Sequence, residues 1–375
     1  MTFRETKKNF DIYLFLSVIP IMVSSLSVLH SIRGEADFFG RQLMWVFLGL
    51  SIAFLVSLID TRFLKRSGVV LTVYGIAMFL LVGVLIFGST VKGSKSWFDF
   101  GFLSFQPSDL AKLALILILS KYFSRRHIEI KRLKHIFISL IYMAVPFGLI
   151  FLQPDFGSAM VLFFIWAGMA LVAGISRKHL SILGGICLAA FIVMWFFVFQ
   201  PYQKERLSTF INPLSDLQGA GYNTYQSIIA VGSGQFLGKG FGFGTQSRLE
   251  FLPEYETDFV FAAFSEEWGF VGAMVLLFFF FLLLWRIINT AEKGETNFEI
   301  LFCSGVAILF FSHILVNIGM NLGVMPVTGI PLPFMSYGGS HILVESILLG
   351  IVLAMGRYKR PSHRSEISQE IEGIV

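Results

Sequence analysis

Charged residues and cysteine are both scarce in this sequence. Charged side chains make up 14% of the 375 residues and hydrophobic ones 55%, whereas soluble domains carry about 25% charged residues. This balance excludes a soluble globular protein, and so much apolar content also excludes a disordered chain. The two cysteines, Cys187 and Cys303, lie in long apolar runs, so they offer neither a disulfide framework nor a cysteine zinc site. We therefore expect an integral membrane protein.

Long apolar segments predict transmembrane helices. A bilayer core of about 30 Å requires about 20 apolar residues per helix. Ten such segments predict an all-α polytopic fold, with limits near Ile12–Ile32, Leu43–Ile59, Gly68–Phe87, Ser108–Phe123, Ile136–Leu152, Gly157–Val172, Leu180–Phe199, Phe261–Trp285, Ile300–Leu322 and Met335–Met355. The first segment is longer than a signal-peptide core and no cleavage pattern follows it, so we expect it to remain in the protein.

The basic residues orient these segments. With ten crossings, 20 Lys and Arg residues fall on the side of the two termini and 8 on the opposite side. The positive-inside rule then predicts that both termini, including the tail 357–375, are cytoplasmic, and that residues 1–375 form a single integral membrane domain. The net charge of +5 suits anionic inner-leaflet lipid, so no nucleic-acid partner is needed to explain it.

Two predicted extracytoplasmic loops are longer than a simple connection needs. The loop 88–107 is rich in aromatic residues, which favour the membrane interface. The loop 200–260, between the seventh and eighth segments, has eight glycines between positions 219 and 244. Structureless connections longer than about 15 residues are usually functional or disordered. We expect an ordered, partly re-entrant loop, because Tyr222–Val231 and Phe251–Phe264 are apolar, and a flexible loop is the alternative.

Several ionisable residues lie within or beside the apolar segments. Charged groups in a membrane are costly, so each is either functional or paired with another group. The candidates are Asp109, Lys112, Asp155, Asp258, Glu266, Glu267 and Glu345.

The positions of these residues leave alternatives open. Asp109 and Lys112 stand three apart on one helical face, so they form an ion pair or Lys112 contacts an anionic ligand. Asp155 follows Pro154, and helix capping is favoured over catalysis there. Asp258 lies at the water boundary beside the glycine-rich loop, where it acts as a general base or as a helix N-cap. No partner for Glu345 is evident.

Four stretches of sequence resemble a known family. They are Gln106–Lys112, Leu152–Ser158, Gln246–Phe261 with Glu266–Gly269, and Asn317–Ser340. Together they are similar to the motifs of the SEDS family (shape, elongation, division and sporulation) of polytopic peptidoglycan polymerases. The stretch Pro-Val-Thr-Gly-Ile-Pro-Leu-Pro at 326–333 resembles the elongation members more than the division members.

The resemblance implies a fold and an activity. It implies ten helices and an inverting glycosyltransferase that polymerises lipid II at the outer face of the bacterial cytoplasmic membrane, with undecaprenyl diphosphate as the leaving group. The family's essential aspartate corresponds to Asp258, the expected base for the acceptor 4-hydroxyl. A class B penicillin-binding protein is the implied partner. A divalent cation, Mg²⁺ or Mn²⁺, is implied too, although no ligand cluster is recognisable in the sequence.

The activity that the resemblance implies defines the expected site, because basic residues should stabilise the charge of the leaving diphosphate. The residues expected to bind substrate are Lys112, Arg206, Arg248, Gln246, Ser247, Ser336 and Tyr337, and those expected to support the site are Asp109, Asp155, Glu266 and Glu267. Three positions depart from the family pattern. Asp109 stands where glutamate is common, His341 replaces a usual serine, and Glu345 occupies a position that is usually uncharged.

Two other function classes fit a polytopic protein. A lipid II flippase also uses buried charges and broken helices, and a scaffold would only recruit a penicillin-binding protein. The sequence has no internal repeat between its halves, and the large outer loop would be superfluous in a transporter. Polymer formation from lipid II distinguishes the enzyme from both alternatives.

Overall fold

The protein is built almost entirely from α-helices. The computed structural model describes residues 10–31, 38–91, 94–99, 101, 104–125, 133–175, 181, 184–185, 196, 220–249 and 251–357. The helices within these ranges are α1 (Ile12–Ser31), α2 (Phe38–Ser57), α3 (Ser67–Phe87), α4 (Pro107–Ser124), α5 (Leu133–Phe151), α6 (Phe156–Val172), α7 (Ala220–Ser233), α8 (Thr245–Arg248), α9 (Val260–Glu292), α10 (Asn297–Asn321) and α11 (Gly339–Arg357). A short 3-10 helix, Thr61–Lys65, joins α2 to α3.

The predicted apolar segments coincide with these helices. Nine of the ten fall on α1–α6 and α9–α11, which confirms the all-α class. The seventh, Leu180–Phe199, lies almost wholly outside the described residues, as does the tail beyond Arg357. Within the described ranges, seven helices are long and apolar enough to span a membrane, and α6 is apolar but shorter. Helix α4 differs because it carries Asp109, Lys112 and Lys121.

The aromatic loop 88–107 contains strands that the sequence analysis missed. Strand β1 (Ser89–Val91) pairs antiparallel with β2 (Ser94–Asp99), and β2 pairs antiparallel with β3 (Ser104–Phe105). Strands this short carry little periodic signal, which explains the omission. The sheet leads directly into α4.

Part of the glycine-rich loop is a helix. The apolar stretch Tyr222–Val231 forms most of α7, which packs against α9 and α10. Ser227 Oγ on α7 donates to the carbonyl of Asn321 at the end of α10, at 2.8 Å. The expected order is therefore present in this segment, whereas residues 200–219, with Arg206, lie outside the described part of the chain.

Helices α10 and α11 form the buried centre of the bundle. In α10 and α11, 72% and 78% of the residues in the apolar stretch are buried. The corresponding share is 22% to 44% in the other membrane-length helices of the described part. Helix α10 packs against α4, α6 and α9, and α11 packs along α2. Polar side chains on α10 and α11 therefore face protein and not lipid. This arrangement brings the ionisable residues of α4 and α11 into one interior region.

The α2–α11 contact predicts a stability effect at Gly350. A Cβ atom added there would lie 2.7 Å from Val56 Cβ and 2.8 Å from the carbonyl oxygen of Ala53. Because α2 cannot shift without losing packing, Gly350→Ala should destabilise the protein by about 1–3 kcal/mol. Thermal unfolding of the purified protein in detergent measures this effect.

Gly75→Ala is the matched control for Gly350→Ala. Gly75 lies inside α3, and an added Cβ there meets nothing within 4 Å. Alanine is the better helix former by about 0.5–1 kcal/mol, so this change should be neutral or stabilising. Equal unfolding temperatures for the two variants would contradict the close α2–α11 packing.

Candidate functional site

The backbone of Asp258 is fixed by two asparagines on α10. Its carbonyl oxygen accepts hydrogen bonds from Asn317 Nδ2 at 3.1 Å and from Asn321 Nδ2 at 3.0 Å. Asn321 Oδ1 in turn accepts from the backbone N–H of Ala262 at 3.0 Å, in the first turn of α9. Both asparagines are fully buried, so these bonds are shielded from water. Helix α10 therefore determines where Asp258 stands and where α9 begins.

The connection between α10 and α11 holds Asp258 from a second direction. Ser336 Oγ donates to the carbonyl of Thr257 at 2.6 Å, and the N–H of Tyr337 donates to the carbonyl of Glu256 at 2.8 Å. Gly329 on the same connection has a φ of +72°, and a Cβ atom there would lie 3.7 Å from Asp258 Oδ2. The half-buried carboxylate thus faces the connection 322–338.

The two capping alternatives have opposite outcomes. The N-cap of α9 is Phe259, without a side-chain capping bond, so the proposal that Asp258 caps this helix is wrong. Asp155, in contrast, is the N-cap of α6, and its Oδ1 accepts from the N–H of Ser158 at 3.0 Å. Capping by Asp155 is therefore confirmed. Its other oxygen accepts from Gln106 Nε2 at 3.2 Å, which ties α6 to the start of α4.

Glu266 organises the glycine-rich segment. Its carboxylate is fully buried in α9 and accepts from Lys239 Nζ at 2.7 Å. It also accepts from the backbone N–H groups of Gln246 at 2.9 Å and Ser247 at 3.3 Å. A buried carboxylate is stable only when its oxygens are satisfied in this way. The expected supporting role of Glu266 thus takes the form of an anchor for residues 239–247.

Gly269 marks a kink in α9 that the sequence analysis missed. Its φ of +65° interrupts the helix, and a Cβ atom there would overlap the backbone of Gly238. The N–H of Phe270 donates to the carbonyl of Gln235 at 2.9 Å across this break. Glu267, the second predicted supporting residue, accepts from the N–H of Gly242 at 3.2 Å. The glycine that follows Glu266, Glu267 and Trp268 within a predicted helix is the signal that could have revealed the kink.

The residues expected to bind substrate near this segment differ in exposure. Ser247 is buried, and its hydroxyl donates to Glu266 at 3.2 Å. Arg248 is exposed and donates to the carbonyl of Gly242 at 3.3 Å. Gln246 is half-buried, and its Oε1 has no hydrogen-bond partner among the described residues. Arg248 is therefore the exposed member of this group, whereas the Oε1 atom of Gln246 is buried.

Lys112 and Asp109 form an ion pair inside the bundle. Lys112 Nζ lies 2.9 Å from Asp109 Oδ1, and both side chains are at most 4% exposed. The predicted pairing on one helical face is therefore confirmed. Asp109 Oδ2 lies 3.4 Å from Nδ1 of His341 on α11. The pair thus belongs to a larger polar group that also contains Glu345, whose Oε1 lies 2.8 Å from His341 Nε2.

The metal implied by the resemblance does not fit the donors found. Within the described residues, one cluster has the spacing to hold an ion, and it consists of His313, His341 and Glu345. Mg²⁺ requires six oxygen ligands in near-ideal geometry, and Mn²⁺ also favours carboxylate, carbonyl and water oxygens. Two imidazoles and one carboxylate do not provide such a set. No chemical step is therefore assigned to Mg²⁺ or Mn²⁺.

Comparison with known proteins agrees with the motifs. The FtsW/RodA/SpoVE family, described as "Cell cycle protein", matches residues 8–361. The peptidoglycan glycosyltransferase MrdB of Escherichia coli (strain K12) is 35% identical over 373 residues, which cover 97% of this chain and all of that protein. Stage V sporulation protein E of Bacillus subtilis (strain 168) is 36% identical over 355 residues, covering 92% of this chain and 95% of that protein.

Solved structures share the fold. A chain from work on the structural coordination of polymerization and crosslinking by a peptidoglycan synthase complex has a TM-score of 0.79 and 33% identity, and the match covers 93% of this chain and 98% of that one. The rod shape determining protein RodA of Thermus thermophilus has a TM-score of 0.70 and 31% identity, with 93% and 98% covered. The chain belongs to the FtsW/RodA/SpoVE family, the SEDS family that its motifs resemble.

Proposed function

We propose that this chain polymerises lipid II into glycan strands during cell elongation, with Asp258 as the general base. The relatives of this chain include peptidoglycan glycosyltransferases aligned along 97% and 89% of its length. The protein is therefore a peptidoglycan glycosyltransferase. The observation that carries the role of Asp258 is its rigid backbone, bonded to Asn317 and Asn321, with the carboxylate facing the connection 322–338.

The reaction requires a base at the acceptor sugar. The Asp258 carboxylate takes the proton of the 4-hydroxyl of the acceptor GlcNAc, and the resulting oxygen attacks the anomeric carbon of the lipid-linked donor chain. The bond from that carbon to undecaprenyl diphosphate breaks, with inversion at the anomeric centre. A base contributes in this way only if it is held within hydrogen-bond reach of the hydroxyl. The paired asparagine bonds to the backbone carbonyl of Asp258 supply that constraint.

The leaving diphosphate requires positive charge. Cationic groups aimed at the developing charge stabilise the transition state. Lys112, Arg206 and Arg248 are the proposed groups, and Gln246, Ser247, Ser336 and Tyr337 complete the proposed binding set. Arg248 is exposed, which suits direct contact. Lys112 already contacts Asp109. To bind the leaving diphosphate, its ammonium group must contact the Asp109 carboxylate and a phosphate oxygen at the same time.

The proposed setting follows from the orientation of the helices. We place residues 1–375 as one domain in the bacterial cytoplasmic membrane, with both termini cytoplasmic and the loops 88–107 and 200–260 outside. A class B penicillin-binding protein is the proposed partner, supported by the likeness to a chain from a peptidoglycan synthase complex. Lipid II flipping or a purely scaffolding role remains the alternative, and neither predicts polymer formation by purified protein.

The first prediction concerns Asp258→Asn. The amide keeps the size of the side chain but cannot accept the proton, so polymerisation should fall by about 10²–10⁴-fold while the protein folds normally. Polymer formation from lipid II in detergent, with the partner present, measures the change. Asp99→Asn is the control, because Asp99 is an exposed carboxylate in β2 that should not affect turnover. Wild-type turnover in Asp258→Asn would remove the residue from the role of base.

The second prediction concerns Asn321→Asp. Aspartate can still accept from the N–H of Ala262, but it loses the donors to Asp258 and turns a negative oxygen toward that carbonyl. We expect a loss of about 1–3 kcal/mol in stability and a fall in polymerisation because Asp258 moves. Thermal unfolding and lipid II polymerisation measure both. The control is Asn297→Asp at an exposed position, the first residue of α10, which should leave stability and polymerisation unchanged. An equal response to the two changes would contradict the role of Asn321 in fixing the backbone of Asp258.

The third prediction separates ligand binding from pairing at Lys112. Removing one partner leaves a buried charge uncompensated, which costs about 3–5 kcal/mol. The double change Asp109→Asn with Lys112→Met should therefore recover the thermal stability lost by either single variant. If Lys112 also binds the leaving diphosphate, the double variant stays inactive in polymerisation. Recovered activity in the double variant would reduce Lys112 to a structural ion pair.

A further inference from the structure

The polar group on α10 and α11 has features of a metal site that the proposed reaction does not use. One ligand atom each from His313, His341 and Glu345 lies within 4.8 Å of the others. All three side chains are buried, at 1%, 8% and 3% exposure. His313 Nε2, His341 Nε2 and Glu345 Oε1 have no hydrogen-bond partner among the described residues. Three unpartnered buried polar atoms in one place are costly unless a ligand joins them.

The two histidines are held by their other ring nitrogen. His313 Nδ1 lies 3.2 Å from the carbonyl oxygen of Pro331, which can only accept, so Nδ1 carries the proton and Nε2 keeps a lone pair. His341 Nδ1 lies 3.4 Å from Asp109 Oδ2, but this oxygen accepts no hydrogen bond within the described residues. Histidine ligands of metals characteristically donate their second N–H to a carbonyl or a carboxylate. His313 therefore has the second partner that a metal ligand requires, and His341 has a carboxylate close to the corresponding nitrogen.

Glu345 is oriented in a comparable way. Its Oε2 accepts from the N–H of Phe334 at 2.8 Å, which leaves Oε1 directed at the histidines. Phe334 has a φ of +58°, a conformation that bulky residues rarely adopt, so the bond from Glu345 helps to fix a strained turn. Oε1 lies 2.8 Å from His341 Nε2 but outside hydrogen-bond alignment. Two lone pairs at that distance would repel each other, so either a proton on Nε2 or a bound cation lies between them.

We propose that His313, His341 and Glu345 bind a divalent transition-metal ion of the zinc type inside the helix bundle. Two imidazoles and one carboxylate are a donor set that suits zinc, with a fourth position left for water. Bonds of about 2.0–2.1 Å place tetrahedral ligand atoms about 3.4 Å apart. Binding therefore draws together ligand atoms that lie up to 4.8 Å apart and separates Glu345 Oε1 from His341 Nε2, which lie 2.8 Å apart. The ion would join α10 to α11 beside the connection that faces Asp258. The competing occupant is a proton on His341.

Zinc content tests the proposal. The full-length protein, purified in detergent and stripped with a chelator, is incubated with ZnCl₂, desalted and analysed for metal. We expect about one zinc ion per chain for the wild type, and a fall in zinc affinity of about ten-fold or more in His313→Gln and Glu345→Gln. His135→Gln is the control, because His135 is buried on α5 and bonded to Tyr122. It should retain the ion.

A second measurement covers variants that fail to fold. Co²⁺ added to the stripped wild type should produce the visible absorption of a tetrahedral site with nitrogen ligands, and zinc should raise the unfolding temperature of the wild type. Wild-type protein that retains no zinc and shows no such Co²⁺ spectrum would overturn the proposal and leave the proton as occupant. Equal zinc retention in Glu345→Gln and His135→Gln would overturn it as well.

Discussion

The two amide hydrogen bonds from Asn317 and Asn321 to the carbonyl of Asp258 are the constraint on which the site depends. Both asparagine side chains are fully buried. At a buried position a hydrogen bond is strong and an unpaired polar group is costly. Because Asn321 also accepts from Ala262, the same side chain sets the first turn of α9. The position of the proposed base is therefore a property of α10, one of the two most buried helices of the described part, and not of the surface loop that precedes α9.

The glycine-rich segment is a second structure built on α9. The Glu266 carboxylate accepts hydrogen bonds from the Lys239 ammonium group and from two backbone N–H groups. The kink at Gly269 allows the backbone of Gly238 to pack directly against the helix. A buried carboxylate thus holds a glycine-rich segment in order against α9. Order in residues 220–249 comes from α9 and α10, since the glycines themselves contribute little packing.

The length of the apolar segments predicted most of the helices, because a chain that crosses a bilayer must make its backbone hydrogen bonds within the segment. Nine segments coincide with described helices, and the pairing of Asp109 with Lys112 followed from helical spacing. The strands at 89–105, the kink at Gly269 and the role of His313 did not follow. The strands are too short to carry a periodic signal. The kink and the place of His313 depend on contacts between residues distant in sequence, Gly238 with Gly269 and His313 with His341. Of the two alternatives for Asp258, the helix cap was wrong because Phe259 occupies that position.

The central claim is that Asp258 acts on the proton of the acceptor and not on substrate affinity. The most direct measurement is the polymerisation rate of Asp258→Ala at saturating lipid II, with and without added formate, together with lipid II binding. The account predicts binding close to that of the wild type, a rate lower by about 10²–10⁴-fold, and partial recovery as formate replaces the missing carboxylate. Lipid II binding weakened enough to explain the whole loss of rate would contradict it, as would a wild-type rate without formate.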